Sequence, residues 1–214
     1  MAFSTGKLVF CLVVAVAVCP PQPASALDPR YPDWPCQQLK VPEISIASVW
    51  TGPSIEDIDK AASMDPKQAD LISRLAARRT PIEEARKLIA DDVTGTDQEK
   101  QDKAKTLFAA LYSTLNAQRD QVMSGIERFS RKQKAMAEQI REETRKMREM
   151  QDTPNAGQTE SEELVSRLSW QTRIFEDRQK STAYVCDVPV VIEKRLFDLA
   201  NAIQGALKTS PQPK

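Results

Sequence analysis

The sequence predicts an all-α fold: a long antiparallel, coiled-coil-like helical hairpin with a small helical base and an extended N-terminal arm tethered by a disulfide. Three observations lead there. Apolar residues recur with a 3.5-residue period over two segments of similar length. Start signals for shorter helices precede the first segment. Once an N-terminal export signal is set aside, two cysteines remain, Cys36 and Cys186.

Residues 1–26 read as a signal peptide. Lys7 supplies the positive end, and Leu8 to Val18 form an apolar run of 11 residues. Pro20, Pro21 and Pro23 end it, and Ala24-Ser25-Ala26 is an A-x-A cleavage site. The run is too short for a membrane span, which needs about 20 residues. The expected mature chain starts at Leu27. Acylation at Cys19 is the alternative, disfavoured by the bulk of Val18 before it. Cleavage removes Cys11 and Cys19. Export to an oxidising compartment then makes a Cys36–Cys186 disulfide the default. The alternative is two free thiols, but no C-x-x-C occurs.

Residues 27–53 carry Pro29, Pro32, Pro35, Pro42 and Pro53, which forbid a helix of useful length. This arm should run extended over the surface, with Trp34 and Trp50 as apolar plugs. Residues 54–97 read as a short-helix base. Ser54 caps a first helix. Asp65-Pro66 starts a second, to about Arg78. Thr80-Pro81-Ile82-Glu83 reads as a capping box with Pro at the first helical position, starting a third to about Asp91. The segment Asp92 to Asp97 is a turn with a fresh cap.

Residues 98–207 form the hairpin. The first seam runs Tyr112, Leu115, Arg119, Val122, Ile126, Phe129, Gln133, Met136, Ile140, Glu143, Met147, Met150. Nine of these twelve positions are apolar, in steps alternating between three and four. A lone helix of about 50 residues would be about 75 Å long and needs a partner of matching length. The loop at Pro154, Asn155 and Gly157 turns the chain, and Thr159-Glu160-Ser161-Glu162 reads as a capping box. The second seam runs from Leu164 through Leu168, Gln171, Phe175, Arg178, Thr182 and Val185, then Pro189, Ile192, Leu196, Leu199, Ile203 and Ala206. Its phase continues through Pro189. One kinked helix is therefore favoured over two helices, with Asp187 as the cap of the rival second one. Folding about residue 155 places Phe129 near Thr182, Ile140 near Trp170, and Cys186 near Gly125. Gly125 is expected to make room for the crossing arm; the alternative is a place on a solvated face. Residues 208–214 read as a disordered tail.

Composition narrows the chemistry. There is no His, so Ser-His and Cys-His pairs and imidazole metal sites are excluded. With 6 Gly there is no G-x-G-x-x-G or P-loop pattern. Thirty Lys+Arg balance thirty Asp+Glu, which argues against a nucleic-acid partner. No catalytic residue, cofactor or metal is expected. The distal arm mixes Arg128, Arg131, Lys132, Lys134, Arg141, Arg145, Lys146 and Arg148 with Glu138, Glu142, Glu143 and Glu149. That pattern suits a solvated helix flank better than a basic binding face. Trp170 and Ile174 stand beside the second seam, where they either cover the hairpin core or form a dimer patch.

Four stretches carry a resemblance: Asp33-Trp-Pro-Cys36, the run from Leu75 to Ala85, Gly125-Ile-Glu-Arg-Phe129, and Tyr184-Val-Cys-Asp-Val-Pro189. With them, most of the mature chain resembles a group of secreted helical proteins of alphaproteobacteria. The resemblance implies a periplasmic address and brings no catalytic residues with it.

The functional expectation is a non-enzymatic periplasmic or secreted interaction protein: an adaptor, assembly factor or holdase-type chaperone. Its partner would be a protein, met at Arg141, Arg145, Trp170 and Ile174, and homodimerisation is an option. The rivals are a peripheral membrane protein that binds anionic lipid through the basic flank, and an enzyme with a carboxylate or Ser-Lys site.

Overall fold

Two helices of 55 and 51 residues, α4 (Asp97–Gln151) and α5 (Gln158–Lys208), carry the fold. Before them come three shorter ones: α1 (Ile46–Val49), α2 (Pro66–Ala76) and α3 (Ile82–Asp92). The computed structural model describes residues 28–56, 58, 65–152 and 157–208. The expected signal peptide, the helix expected after Ser54 beyond Glu56, the loop expected around Pro154 and the tail expected beyond Lys208 fall outside the described residues, apart from Ile58.

The hairpin is antiparallel in the register the seams imply. Arg119 pairs with Glu193, Gln133 donates to the Phe175 carbonyl, and Glu143 pairs with Arg167. Each pair is set about residues 154 to 156. Phe129 and Thr182 line one shared depression, as expected. Trp170 is 67% exposed, so its ring stands outside the seam and does not cover Ile140.

α5 runs unbroken through Pro189, which settles the choice between one helix and two. Proline in a helix interior loses a hydrogen bond and crowds the preceding turn, at about 3 kcal/mol or more. Fully buried Leu196, Leu199 and Ile203 lie beyond it, in the same phase as before. Full burial of each such side chain contributes about 1.5–3 kcal/mol, enough together to offset the proline. A reversal at Pro189 would discard that burial.

The main core lies at the basal end. Leu107, Phe108, Leu111 and Leu115 of α4 meet Leu196, Leu199 and Ile203 of α5, Leu75 of α2, and Ala85 and Ile89 of α3. Trp50 stacks on Phe108, with ring centroids 4.1 Å apart. Its indole N–H donates to the Pro53 carbonyl at 2.8 Å, so both tryptophans of the arm serve as plugs. Trp34 donates to the Gln38 carbonyl at 2.7 Å, inside a second cluster with Cys36, Met123, Ile126 and Cys186.

Two start signals act differently from the sequence reading, and the cap expected in the turn before Asp97 forms. The helix after Thr80 begins at Ile82, because Pro81 is extended (ψ 147°) and no side chain caps it. Thr80 instead lends its carbonyl to Arg195 at 2.8 Å. α5 begins one residue before Thr159, and Ser161 N–H donates to the Gly157 carbonyl. The complete capping box is Thr96 with Glu99: Thr96 accepts from Glu99 N–H, and the Glu99 carboxylate accepts from Thr96 N–H. Gly95, at φ 118°, provides the left-handed turn before it. α2 ends at Ala76, short of Arg78.

Candidate functional site

The disulfide joins Cys36 to Cys186 with Cα atoms 5.6 Å apart, and both cysteines are buried. It locks the arm across the hairpin at the height of Met123 and Ile126. The crossing point is where the folded seams placed it, but the reason offered for Gly125 is not. A side chain at Gly125 would meet only the Arg128 guanidinium, at 3.8 Å. The arm rests on Met123 and Ile126 and needs no gap at Gly125.

Polar contacts fix the arm along one lateral face. Lys40 pairs with Glu127, and Asp33 pairs with Arg131 at 3.2 Å and Lys134 at 3.0 Å. Hydrogen bonds from Lys134, then from Arg131, hold the Asp33 carboxyl below its ordinary pKa. Further down, the buried Arg119 donates to Glu193, Pro42 and Val41. Tyr112 donates to the Ile44 carbonyl at 2.7 Å.

The opposite lateral face carries α2 and α3. Arg195 donates through two nitrogens to the Leu75 carbonyl and through a third to that of Thr80. It thereby pins the turn between α2 and α3 to α5. A groove of about 660 Å³ between α2 and α4 lies on this face, lined by Ser73, Arg78, Arg79, Thr114 and Gln118 among others. Neither a carboxylate nor a lysine lines it, so it assembles no Ser-Lys or carboxylate pair. Among the described residues no group of three metal-ligating side chains occurs, and no helix is long and apolar enough to cross a membrane.

The four expected contact residues divide between these faces. Arg141 lies seven residues after Lys134, and Arg145 fourteen after Arg131, so both continue the line that Asp33 touches. Each is exposed and paired within its own helix, Arg141 with Glu138 and Arg145 with Glu149. Ile174 lies 21 residues before Arg195, three heptads on the same side, so it shares the face of α2 and α3. Trp170 is one turn further out. They do not form one patch.

Sequence reasoning missed Arg119 and Arg195 as clamps. Arg119 carried a signal, being the one cation in the first seam; a buried guanidinium must find acceptors. Exposed Tyr184, on the same stripe of α5 as Trp170, was also missed. No protein-family model, curated protein or solved structure matches the chain.

Proposed function

We propose that this chain is an exported, non-enzymatic interaction protein whose distal hairpin is the contact surface for another polypeptide. Adaptor, assembly factor and holdase-type chaperone are the tasks that suit it. The carrying observation is the contrast between the two halves of the hairpin. The basal half is enclosed by the arm, α1, α2 and α3. Level with the disulfide and above it, α5 presents the two most exposed aromatics among the described residues, Tyr184 at 78% and Trp170 at 67%, against 48% for Phe197 in the basal half. Large aromatic side chains left in water on a rigid helix are the groups that dominate binding energy at protein interfaces. The buried disulfide and the A-x-A site support export to an oxidising compartment, the periplasm in the reading given above.

A lipid surface is the second reading. Local pairing of Arg141 and Arg145 with Glu138 and Glu149 leaves less free positive charge for it. The test is crosslinking capture of the exported protein from its own cells, with Trp170→Ser and Tyr184→Ser combined as the comparison. Loss of a captured protein in the double variant supports the proposal, and unchanged capture overturns it. Co-sedimentation with anionic vesicles that weakens with salt would favour the lipid reading instead.

A further inference from the structure

Arg78 and Arg79 are the two middle residues of the turn that joins α2 to α3. Thr80 N–H closes the turn by donating to the Ala77 carbonyl at 3.1 Å. Arg195 grips the backbone at both ends of it, through the carbonyls of Leu75 and Thr80. Two guanidinium groups therefore project from backbone that is fixed to α5. Both arginines are exposed, and neither has a hydrogen bond or ion pair among the described residues. The described carboxylates nearby are committed elsewhere. Glu84 pairs with Arg74 and Glu83 with Arg86, and Asp120 lines a separate depression on the side of the arm.

These arginines end the groove of about 660 Å³ between α2 and α4. Ala69, Ile72 and Ala76 give it an apolar side on α2, and Thr114 and Gln118 give it a polar side on α4. No carboxylate lines it among the described residues. From Ala69 to Ala77 the helix rises about 12 Å, the reach of about four residues of extended chain. A single small anion would use neither that length nor the apolar side. An extended peptide uses both, and its carboxylates match the planar fork of a guanidinium.

We propose that the groove binds an extended acidic segment of the polypeptide that the distal hairpin captures. Its carboxylates sit on Arg78 and Arg79, and its apolar side chains lie against α2. The inference rests on the proposed function and names the chemistry of the partner. The groove shares a lateral face with Trp170, and Arg195 lies eleven residues, about 16 Å, below Tyr184 on α5. One polypeptide laid over the two aromatics therefore reaches the groove within a few residues.

Fluorescence polarisation of a labelled six-residue peptide, two adjacent glutamates between leucines, tests this on the oxidised protein. Saturable binding is expected. Combining Arg78→Gln with Arg79→Gln should weaken it by about tenfold or more, as should glutamine in place of the peptide's glutamates. Gln118→Glu, which sets a like charge on the opposite side, should also weaken it. Raising salt from about 50 to 300 mM should do the same. All three positions are exposed, so an unchanged melting temperature confirms that these variants fold. Absence of saturable binding overturns the proposal, as does binding that none of the substitutions weakens. Inorganic phosphate that binds as tightly as the peptide overturns it in favour of a free anion. Binding seen only when Asp57→Asn and Asp59→Asn are combined overturns it in favour of this chain's own acids. The two readings fail separately. Capture that depends on Trp170 and Tyr184 without peptide binding overturns the groove alone. Peptide binding with capture that ignores Trp170 and Tyr184 overturns the proposed function alone.

Discussion

Arg119 and Glu193 meet at 2.6 Å across the hairpin, and the same guanidinium holds the carbonyls of Val41 and Pro42. One side chain therefore joins α4, α5 and the arm. Its side chain is 4% exposed, while that of Glu193 is 39% exposed. Removing Arg119 leaves Glu193 able to recover water but strips two arm carbonyls of their donor. Arg119→Ala should cost about 1–3 kcal/mol by chemical denaturation, the range for loss of charge-assisted hydrogen bonds. Arg119→Lys should recover only part, since a point charge cannot span Glu193 and both carbonyls. An unchanged midpoint in Arg119→Ala would remove the clamp from the account.

The disulfide spans 150 positions, so it restrains the unfolded chain over a long loop. In the chain-entropy picture that contributes about 4–5 kcal/mol. Non-reducing mass spectrometry of the exported protein should find no alkylatable thiol and one internal bridge. Cys36→Ala with Cys186→Ala should lower the melting temperature by about 10 °C or more, at about 2–4 °C per kcal/mol for a chain of this size. A melting temperature equal to that of the oxidised protein would mean the arm is held by its tryptophans and ion pairs alone.

The seams were legible because a seven-residue repeat is a property of the chain itself. Continuity of phase from Val185 to Ile192 carried the single helix through Pro189. The cysteine pair was legible by elimination: with residues 1–26 read as a signal peptide, only one pairing was left. What sequence did not carry was the choice of lateral face. That choice rests on Arg195 reaching carbonyls 115 to 120 residues away, and on Asp33 reaching Lys134. Neither partner has a periodic signature. The same holds for Thr80, whose pattern suits a cap but whose carbonyl is held by Arg195 in the fold. Trp170 was readable as apolar and off the seam; that it faces the side of α2 and α3, away from Arg141, was not.

Glycine positions now separate into two kinds. A side chain at Gly125 meets nothing nearer than Arg128 at 3.8 Å, while one at Gly52 falls 2.3 Å from the Trp50 ring. Gly125→Ala should be neutral to stabilising, by about 0.5–1 kcal/mol, because it lowers the entropy of the unfolded chain and suits a helix interior. Gly52→Ala should destabilise, because the ring it displaces is stacked on Phe108 in the main core. Denaturation midpoints that moved in the opposite order would show the arm to be seated differently.

Acid should loosen the distal hairpin through Glu143. Burial alone would raise this carboxyl's pKa, but hydrogen bonds from Gln139 and Arg167 and the charge of Arg167 hold it below the ordinary value. Its folded-state pKa thus lies under the unfolded one. The stability it contributes is complete above the unfolded value, about 4.3, and is lost as pH falls through the folded one. Glu143→Gln should flatten that part of the acid limb. Hydrogen exchange of distal amides between pH 6 and 3, corrected for intrinsic rates, reads it. Equal acid sensitivity with and without Glu143 would assign the loss to other carboxylates.

The distal hairpin should be separable from the base, and the cut must respect the arm. Removing residues 126–180 would take Ile126 from the disulfide cluster and Arg131 and Lys134 from Asp33. Removing 137–173 instead keeps Gln133 on the Phe175 carbonyl and keeps every residue of both core clusters. The stumps end opposite each other in the hairpin register, so a turn of about four residues can close them. The shortened protein should form its disulfide and melt within about 5 °C of the full chain, since its buried cores are intact. It should lose capture of a partner, because Trp170 is gone. A shortened protein that fails to fold would mean the two helices stabilise one another along their whole length, and the division into an enclosed base and a projecting arm would fall with it.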